Sequence, residues 1–311
     1  MSKSPYSVVA ARRPDVVFAI ILASAVAGCG HAPVEAPRGA PSRQSGDHPD
    51  RLLAGALKAW AADKDSGRAV QLASQASEAA PKRADAAWLQ LRLCDATSGC
   101  DAAPLEARLK KLAPENGVVW LSVLARAQAA RDGRTEAHVL AAMSQAEHFN
   151  VYWNALSQRL ATASAPAVSA QENAPLTRTL GETAQWLSTL MLPAFAPVAA
   201  SCSADRMRDP ARRAVCERIG QALERSDSFI AEGAGIGIAQ RLAAPGSAAA
   251  SAVQERIETL AYQNQTAAAV VAAQVEREKF SAEMLELMKQ LPREQDVSQA
   301  ILRWAGESLT P

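Results

Sequence analysis

Five cysteines and four histidines carry the readiest redox, nucleophilic or metal-binding chemistry in this sequence of 311 residues. Four of the cysteines form two local sets: Cys94 and Cys100 with five residues between them, and Cys202 and Cys216 with thirteen. Neither spacing is the C-x₂₋₄-C of structural zinc sites, so no metal is expected. Taken together, the four thiols allow three disulfide pairings. His31 and His48 fall in a stretch rich in proline, glycine and polar residues, which leaves His138 and His148 for the part of the chain that folds. A histidine beside Glu147 is read as a surface residue rather than a base. There is no G-x-S-x-G and no H-E-x-x-H. The glycines of "EGAGIGIAQRL", at 233, 235 and 237, lack the preceding strand and the Lys-Ser/Thr pair of a nucleotide loop, so close helix packing is the expected use of them. No catalytic residue and no cofactor is assigned.

The fifth cysteine, Cys29, stands differently. It ends the stretch "AIILASAVAGCGHAP", behind an apolar run of eleven residues from Val16 to Val26. A bilayer core asks for about 20 apolar residues, so this run is too short to span. Lys3, Arg12 and Arg13 precede it and small residues follow, the order of a secretory signal peptide. Val26-Ala27-Gly28-Cys29 resembles the bacterial lipobox. That resemblance implies cleavage before Cys29, a diacylglycerol on its thiol and an acyl group on its new amine. Three chains exceed the two signals that stable anchoring needs. By the sorting rule of that family, Gly30 after the cysteine implies the outer membrane, with the body facing the periplasm. Residues 1–28 are then the signal peptide. Residues 29–50 hold almost no large apolar side chain and are expected to be an extended tether. In the oxidising compartment this implies, the local pairings Cys94 with Cys100 and Cys202 with Cys216 are expected, because each pair brackets a loop or the start of a helix.

The elements that must carry these groups read as helices. Aromatic content is 5% and alanine is abundant, which favours helices packed through small side chains over a sheet core. The net charge is +1, and −1 once residues 1–28 with Lys3, Arg12, Arg13 and Asp15 are removed, so no nucleic-acid surface is expected. Trp88, Trp120, Trp153 and Trp186 are separated by 32, 33 and 33 residues. Ala69, Ala76 and Pro81 have a seven-then-five spacing, and Pro114 precedes Trp120 by six. This pattern resembles the tetratricopeptide repeat in degenerate form, with Leu124 and Ala127 in place of its usual small residue and tyrosine. The resemblance implies that residues 51–160 fold as helical hairpins in a short solenoid, with Pro81, Trp88, Pro114, Trp120 and Trp153 as repeat-defining positions. Within it, Asp132-Gly133 marks a turn before a helix expected to bury Ala137, Leu140, Ala141 and Met143.

Residues 161–175, rich in Ala, Ser and Pro, read as a linker to a less regular helical region, 176–311. Leu176 to Leu192 is predicted as a helix stopped by Pro193, and Asp209-Pro210 supplies a cap and a first-turn proline to the helix through Cys216, Ile219 and Leu223. Ser226 or Asp227 is expected to cap the next, with Phe229, Ile230 and Ile238. After Pro245-Gly246 a helical pattern runs from Ser247 to about Leu291, with Val253, Ile257, Leu260, Ala267, Val271 and Val275 on one stripe. Asn264 in that stripe fits either a core helix, where it meets a backbone group, or an exposed dimer seam. A closing helix is expected to turn Ile301, Leu302 and Trp304 inward.

The fold class expected is all-α. The function expected is a noncatalytic envelope lipoprotein that binds protein partners not named by the sequence and the membrane through Cys29, but no nucleic acid; the oligomeric state is left open. The alternative is a cell-wall enzyme. Glu307-Ser308 matches the catalytic dipeptide of peptidoglycan transglycosylases, yet it lies four residues from the end of the sequence.

Overall fold

The computed structural model describes residues 49–64, 67–164, 174–274 and 280–311, and of residues 174–178 the backbone alone. Val26, Ala27, Gly28 and Cys29, the apolar run before them, the tether up to residue 48 and Val275 lie outside the described residues. Within these bounds the chain is all-α, without a named strand. The helices are α1 (Pro49–Ala62), α2 (Gly67–Ala79), α3 (Ala84–Asp95), α4 (Ala103–Leu112), α5 (Leu121–Ala129), α6 (Gly133–Met143), α7 (Trp153–Ser164), α8 (Ala174–Met191), α9 (Ala196–Ser201), α10 (Pro210–Glu224), α11 (Phe229–Leu242), α12 (Ala248–Gln274), α13 (Phe280–Gln290) and α14 (Glu294–Ala305). Short 3-10 turns at Gly117–Trp120, Leu192–Phe195 and Arg206–Arg208 join some of them.

Helix α1 begins at Pro49, inside the stretch expected to be tether. Its second residue is held: the Arg83 guanidinium donates to Asp50 and to Asp85, tying the starts of α1 and α3 together. Likewise α7 runs on to Ser164 and α8 starts at Ala174, both inside the expected linker.

Helices α1 to α6 pair as hairpins, α1 with α2, α3 with α4 and α5 with α6. Ala69, Ala73 and Ala76 of α2 are wholly buried, which lets α1 and α3 lie close to it. Almost every side chain of α3 from Asp85 to Cys94 is buried, so this helix forms the centre of the amino-terminal half. Helix α7, however, packs back on α1 and on α8. In a solenoid each repeat touches only its neighbours; contact across the intervening hairpins departs from that pattern.

Beyond α8, α10 and α11 form the tightest pair. A Cβ added at Gly235 would stand 2.7 Å from Gly220 O and 2.9 Å from Glu224 N, so glycine lets the two backbones meet, as the "GAGIG" stretch predicts. The expected single long helix is instead two, α12 and α13, with α14 packed on both. A rod of some 45 residues would reach roughly 65 Å at 1.5 Å per residue and leave its apolar stripe uncovered. Of that stripe, Leu260 and Ala267 are buried, while Val253, Ile257, Asn264 and Val271 are half-buried.

Three further expectations are corrected. Trp304 is exposed (52%), because α14 turns Val297, Ile301 and Leu302 inward and the tryptophan lies off that face. On α6 the buried side chains are Glu136, Val139, Leu140 and Met143; Ala137 and Ala141 face out. Helix α11 is capped by Ser228, whose Oγ accepts from Ala231 N at 3.2 Å, rather than by Ser226 or Asp227. Those two residues have other partners.

Candidate functional site

Three polar residues, Ser226-Asp227-Ser228, turn the chain between α10 and α11, and all three are buried. Ser226 Oγ donates to Ala222 O (3.0 Å) and accepts from Phe149 N (2.8 Å). Asp227 reaches across to the loop before α7: Oδ1 accepts from Val151 N at 2.8 Å and Oδ2 from Trp153 N at 3.1 Å, and the Tyr152 amide also turns to this carboxylate. Three successive N–H groups on one carboxylate require a bent backbone, and Tyr152 supplies it with φ +60°. A side chain in that left-handed region costs on the order of 1 kcal/mol, which the carboxylate offsets. Asp227 thereby caps the amino end of α7 from a distant part of the chain.

The same turn receives α14. Glu294 N donates to Asp227 O at 2.8 Å, and Glu294 Oε2 accepts from Phe229 N at 2.8 Å, so this glutamate closes the first turn of α11. Arg293 Nε donates to Ser226 O at 3.2 Å. One turn along α11, Glu232 accepts from Gln295 Nε2 at 2.7 Å and from Arg256 of α12. Asn154 of α7 donates to Leu291 O at 2.7 Å. Helices α7, α11, α12 and α14 are thus tied at one buried junction.

Its acids are displaced from their ordinary values. Burial pushes Asp227 up to about 6, the backbone N–H groups holding it from going further. Burial pushes Glu294 up to about 8; the Phe229 N–H opposes this, and the nearby Asp227 and Glu232 carboxylates add to it. Glu224 is raised by its half-burial and by Glu232. Raised carboxyls are the usual currency of general acid catalysis when they face a cleft. Here Asp227 and Glu294 are buried, Asp227 accepting main-chain N–H groups with both oxygens and Glu294 with Oε2, so the two carboxyls tie helix ends together.

A second buried acid joins other elements. Glu136 of α6 accepts from Ser201 Oγ of α9 at 2.7 Å, from Arg206, and from Arg212 of α10 at 3.3 Å. Gln128 of α5 donates to Pro197 O and to Ser201 Oγ at 2.8 and 2.7 Å. This clamp attaches α5–α6 to α9–α10. A third tie links the loops after α4 and α6: Asn116 Oδ1 accepts from Val118 N and Asn150 N, Asn116 Nδ2 donates to Asn150 O, and the Phe149 ring lies on Gly117, where a Cβ would stand 2.3 Å from it.

The cysteines pair locally, Cys94 with Cys100 and Cys202 with Cys216. The second bond joins the end of α9 to the middle of α10, with both residues fully buried. The repeat-defining residues do not converge on a site. Trp88 and Trp153 are core residues, Pro81 and Pro114 lie exposed just beyond the ends of α2 and α4, and Trp120 is half-buried under Lys110 Nζ, 3.8 Å from its ring centre. His138 meets the edge of Trp120 at 6.3 Å between ring centres, while His148 gives its carbonyl to Gly117 N. Glu307 and Ser308 are exposed beyond α14. Among the described residues no group of three or more His, Cys, Asp or Glu side chains is arranged to hold a metal, and no helix is long and apolar enough to cross a membrane.

Glu294 and Glu136 are absent from the residues singled out in the sequence, and Asp227 is named there only as a cap for the helix that follows it. Glu136 had a visible signal, an acid three and four residues before Val139 and Leu140 on one helical stripe. Ser-Asp-Ser between two helices marks a cap, but nothing local identifies the helix that Asp227 caps. No protein-family model, no curated protein and no solved structure matches this chain.

Proposed function

We propose that this chain is a lipoprotein of the bacterial cell envelope, anchored through a lipidated Cys29 to the outer membrane and facing the periplasm, whose helical body binds other envelope proteins as a noncatalytic scaffold or assembly factor. The observation that carries the reading is Val26-Ala27-Gly28-Cys29 at the end of a short apolar run with basic residues before it. Two closed disulfides in a body of helices agree with an oxidising compartment. The tetratricopeptide-like hairpins between Pro49 and Met143 are the surface assigned to the partner, since stacked helical pairs leave extended faces on which a peptide or helix can lie.

The test is the mass of the mature amino terminus in membrane fractions, with and without inhibition of the lipoprotein signal peptidase. A triacylated Cys29 that disappears on inhibition is the expected result. A chain cut elsewhere, or left whole, overturns the anchoring. For the scaffold role, crosslinking in intact cells followed by capture of the tagged protein is expected to yield stoichiometric protein partners, and their absence removes that part of the reading.

A further inference from the structure

Three carboxyl groups meet where α11 and α14 begin, and they are provided for unequally. Asp227 receives the main-chain N–H groups of the loop before α7. Glu232 receives a guanidinium, Arg256, and the Gln295 amide. Glu294 receives one hydrogen bond, from Phe229 N, and has two carboxyl groups as electrostatic neighbours. The junction is also short of donors. Among the described residues, Gln295 Oε1 and Asn154 Oδ1 are buried acceptors without a hydrogen-bond partner. A carboxylate forced into such a place has lost its water and faces like charge, whereas a carboxylic acid is neutral and brings a donor of its own.

We infer that Glu294 takes up a proton when α14 seats near neutral pH, and that this proton is a latch: its loss loosens the segment 291–305 from α7 and α11 while α1 to α7 stay folded.

The surrounding charges do not supply a substitute. On α10, Glu224 is a further acid, next to Glu232, and Arg225 donates to Glu147 O at 3.2 Å. Before α7, the Tyr152 phenol lies against Asn116 Nδ2. On α12, Arg256 is engaged by Glu232, and Arg293 ahead of α14 by Ser226 O. Asp296, on α14 itself, is a further acid, and on α13 Glu286 and Lys289 pair with each other on an exposed face. The rise of Glu294 to about 8 agrees with this geometry.

The sign follows from linkage. With the seated value near 8 and the ordinary value 4.5, the seated form holds a proton that the released form lacks between those limits. Seating is therefore firmest below the ordinary value and weakens by up to about tenfold per pH unit as pH rises toward 8, levelling above it. Asp227, raised to about 6, acts with the same sign over a lower window.

Hydrogen exchange on the full chain tests this. After correction for intrinsic exchange, amides of 294–305 are expected to lose protection relative to those of 84–95 between pH 6 and 8, and Glu294→Gln is expected to abolish that dependence, since its amide stays neutral and can still accept from Phe229 N. Parallel behaviour of the two segments, or an unchanged dependence in the variant, overturns the latch. Should the variant not fold, a carboxyl ¹³C titration of the unmodified protein decides: a Glu294 signal that titrates above pH 7 supports the proposal, and one that titrates near 4.5 refutes it.

Discussion

The amino-terminal helices and those after α9 bury their contacts in different ways. From α1 to α7 the interior is built on large apolar side chains: Trp88, Leu89, Leu91, Leu93, Leu124, Leu140 and Met143 have essentially no exposure, with buried polar residues such as Asp85, Arg92, Glu106 and Glu136 set among them. Helices α10 and α11 still share the large apolar cluster through Ile219, Leu223 and Ile238, but around α12 to α14 the clusters are smaller, with Phe280, Met284, Val297 and Ile301 each still touching solvent, and buried polar residues that join helices there are Asp227, Ser228, Glu232, Glu294 and Gln295. Apolar contact is strong but undirected, so the first half is held by area. Polar joints contribute little net energy when complete and cost a great deal when broken, so the second half is held by geometry and by protonation state. The difference teaches where this chain resists change and where it answers to conditions.

The largest effect expected from any single substitution discussed here is in the first half. Trp88→Ala removes a fully buried side chain from the central helix and should cost about 3–5 kcal/mol of unfolding free energy, read from urea midpoints. A loss below about 1 kcal/mol would mean that the apolar core does not dominate. The disulfides come next. Opening Cys202–Cys216 by a Ser pair releases a separation of 14 residues and should cost roughly 3 kcal/mol, against roughly 2 for Cys94–Cys100 with its separation of six. Thermal melts of the two double variants check the order. If the Cys94–Cys100 variant is the more destabilised, the stiffening of the second half by its covalent bond is not what distinguishes it.

Gly235→Ala probes the tight α10–α11 pair. The added methyl meets two backbone atoms one turn apart on the facing side of α10, Gly220 O and Glu224 N, which cannot rotate away. Overpacking of this kind should cost about 1–3 kcal/mol, whereas Gly237→Ala, where the nearest atom is the flexible end of Arg241, should be neutral or slightly stabilising through helix propensity. Comparable melts for the two variants would show that the pair has slack.

Much of this architecture is written locally. The turn read at Asp132-Gly133 leads into α6 and the cap read at Asp209-Pro210 opens α10, with Asp132 accepting from Thr135 N and Asp209 from Ala211 N. The GAGIG stretch foretells close packing, and the cysteine spacing foretells the pairing. What could not be read is long-range. Asp227 caps a helix whose first residue lies 74 positions earlier, and Glu294 caps one that starts 65 positions earlier. The face of α6 was ambiguous because alanine removes little area from water, so Ala137 and Ala141 do not pin the helix rotation. Glu136 does, drawn inward by Arg206 and Arg212, which are over sixty residues away in the chain. The same ambiguity hid the return of α7 onto α1. Local spacing can suggest each helical hairpin but not where a later helix returns.

The smallest effect expected is at the other tryptophan that this comparison turns on. Trp304 lies in the last turn of α14, 52% exposed, its ring tilted over Phe280 at 5.9 Å between centres. An aromatic pair can contribute about 0.5–1.5 kcal/mol beyond its buried area, but that range belongs to desolvated pairs. Here half of one ring stays in water, and Ile301 and Leu302 already fill the contact between α14 and the cluster beneath it. Trp304→Ala is therefore expected to shift the unfolding free energy by no more than about 0.5 kcal/mol, in urea titrations at pH 6, where the junction at Glu294 is in its firmer state. Set beside Trp88→Ala, this separates two uses of one residue type in one chain. A loss near that of Trp88 would mean that α14 is held by aromatic burial after all, and the polar junction would then be a consequence of its seating rather than the cause.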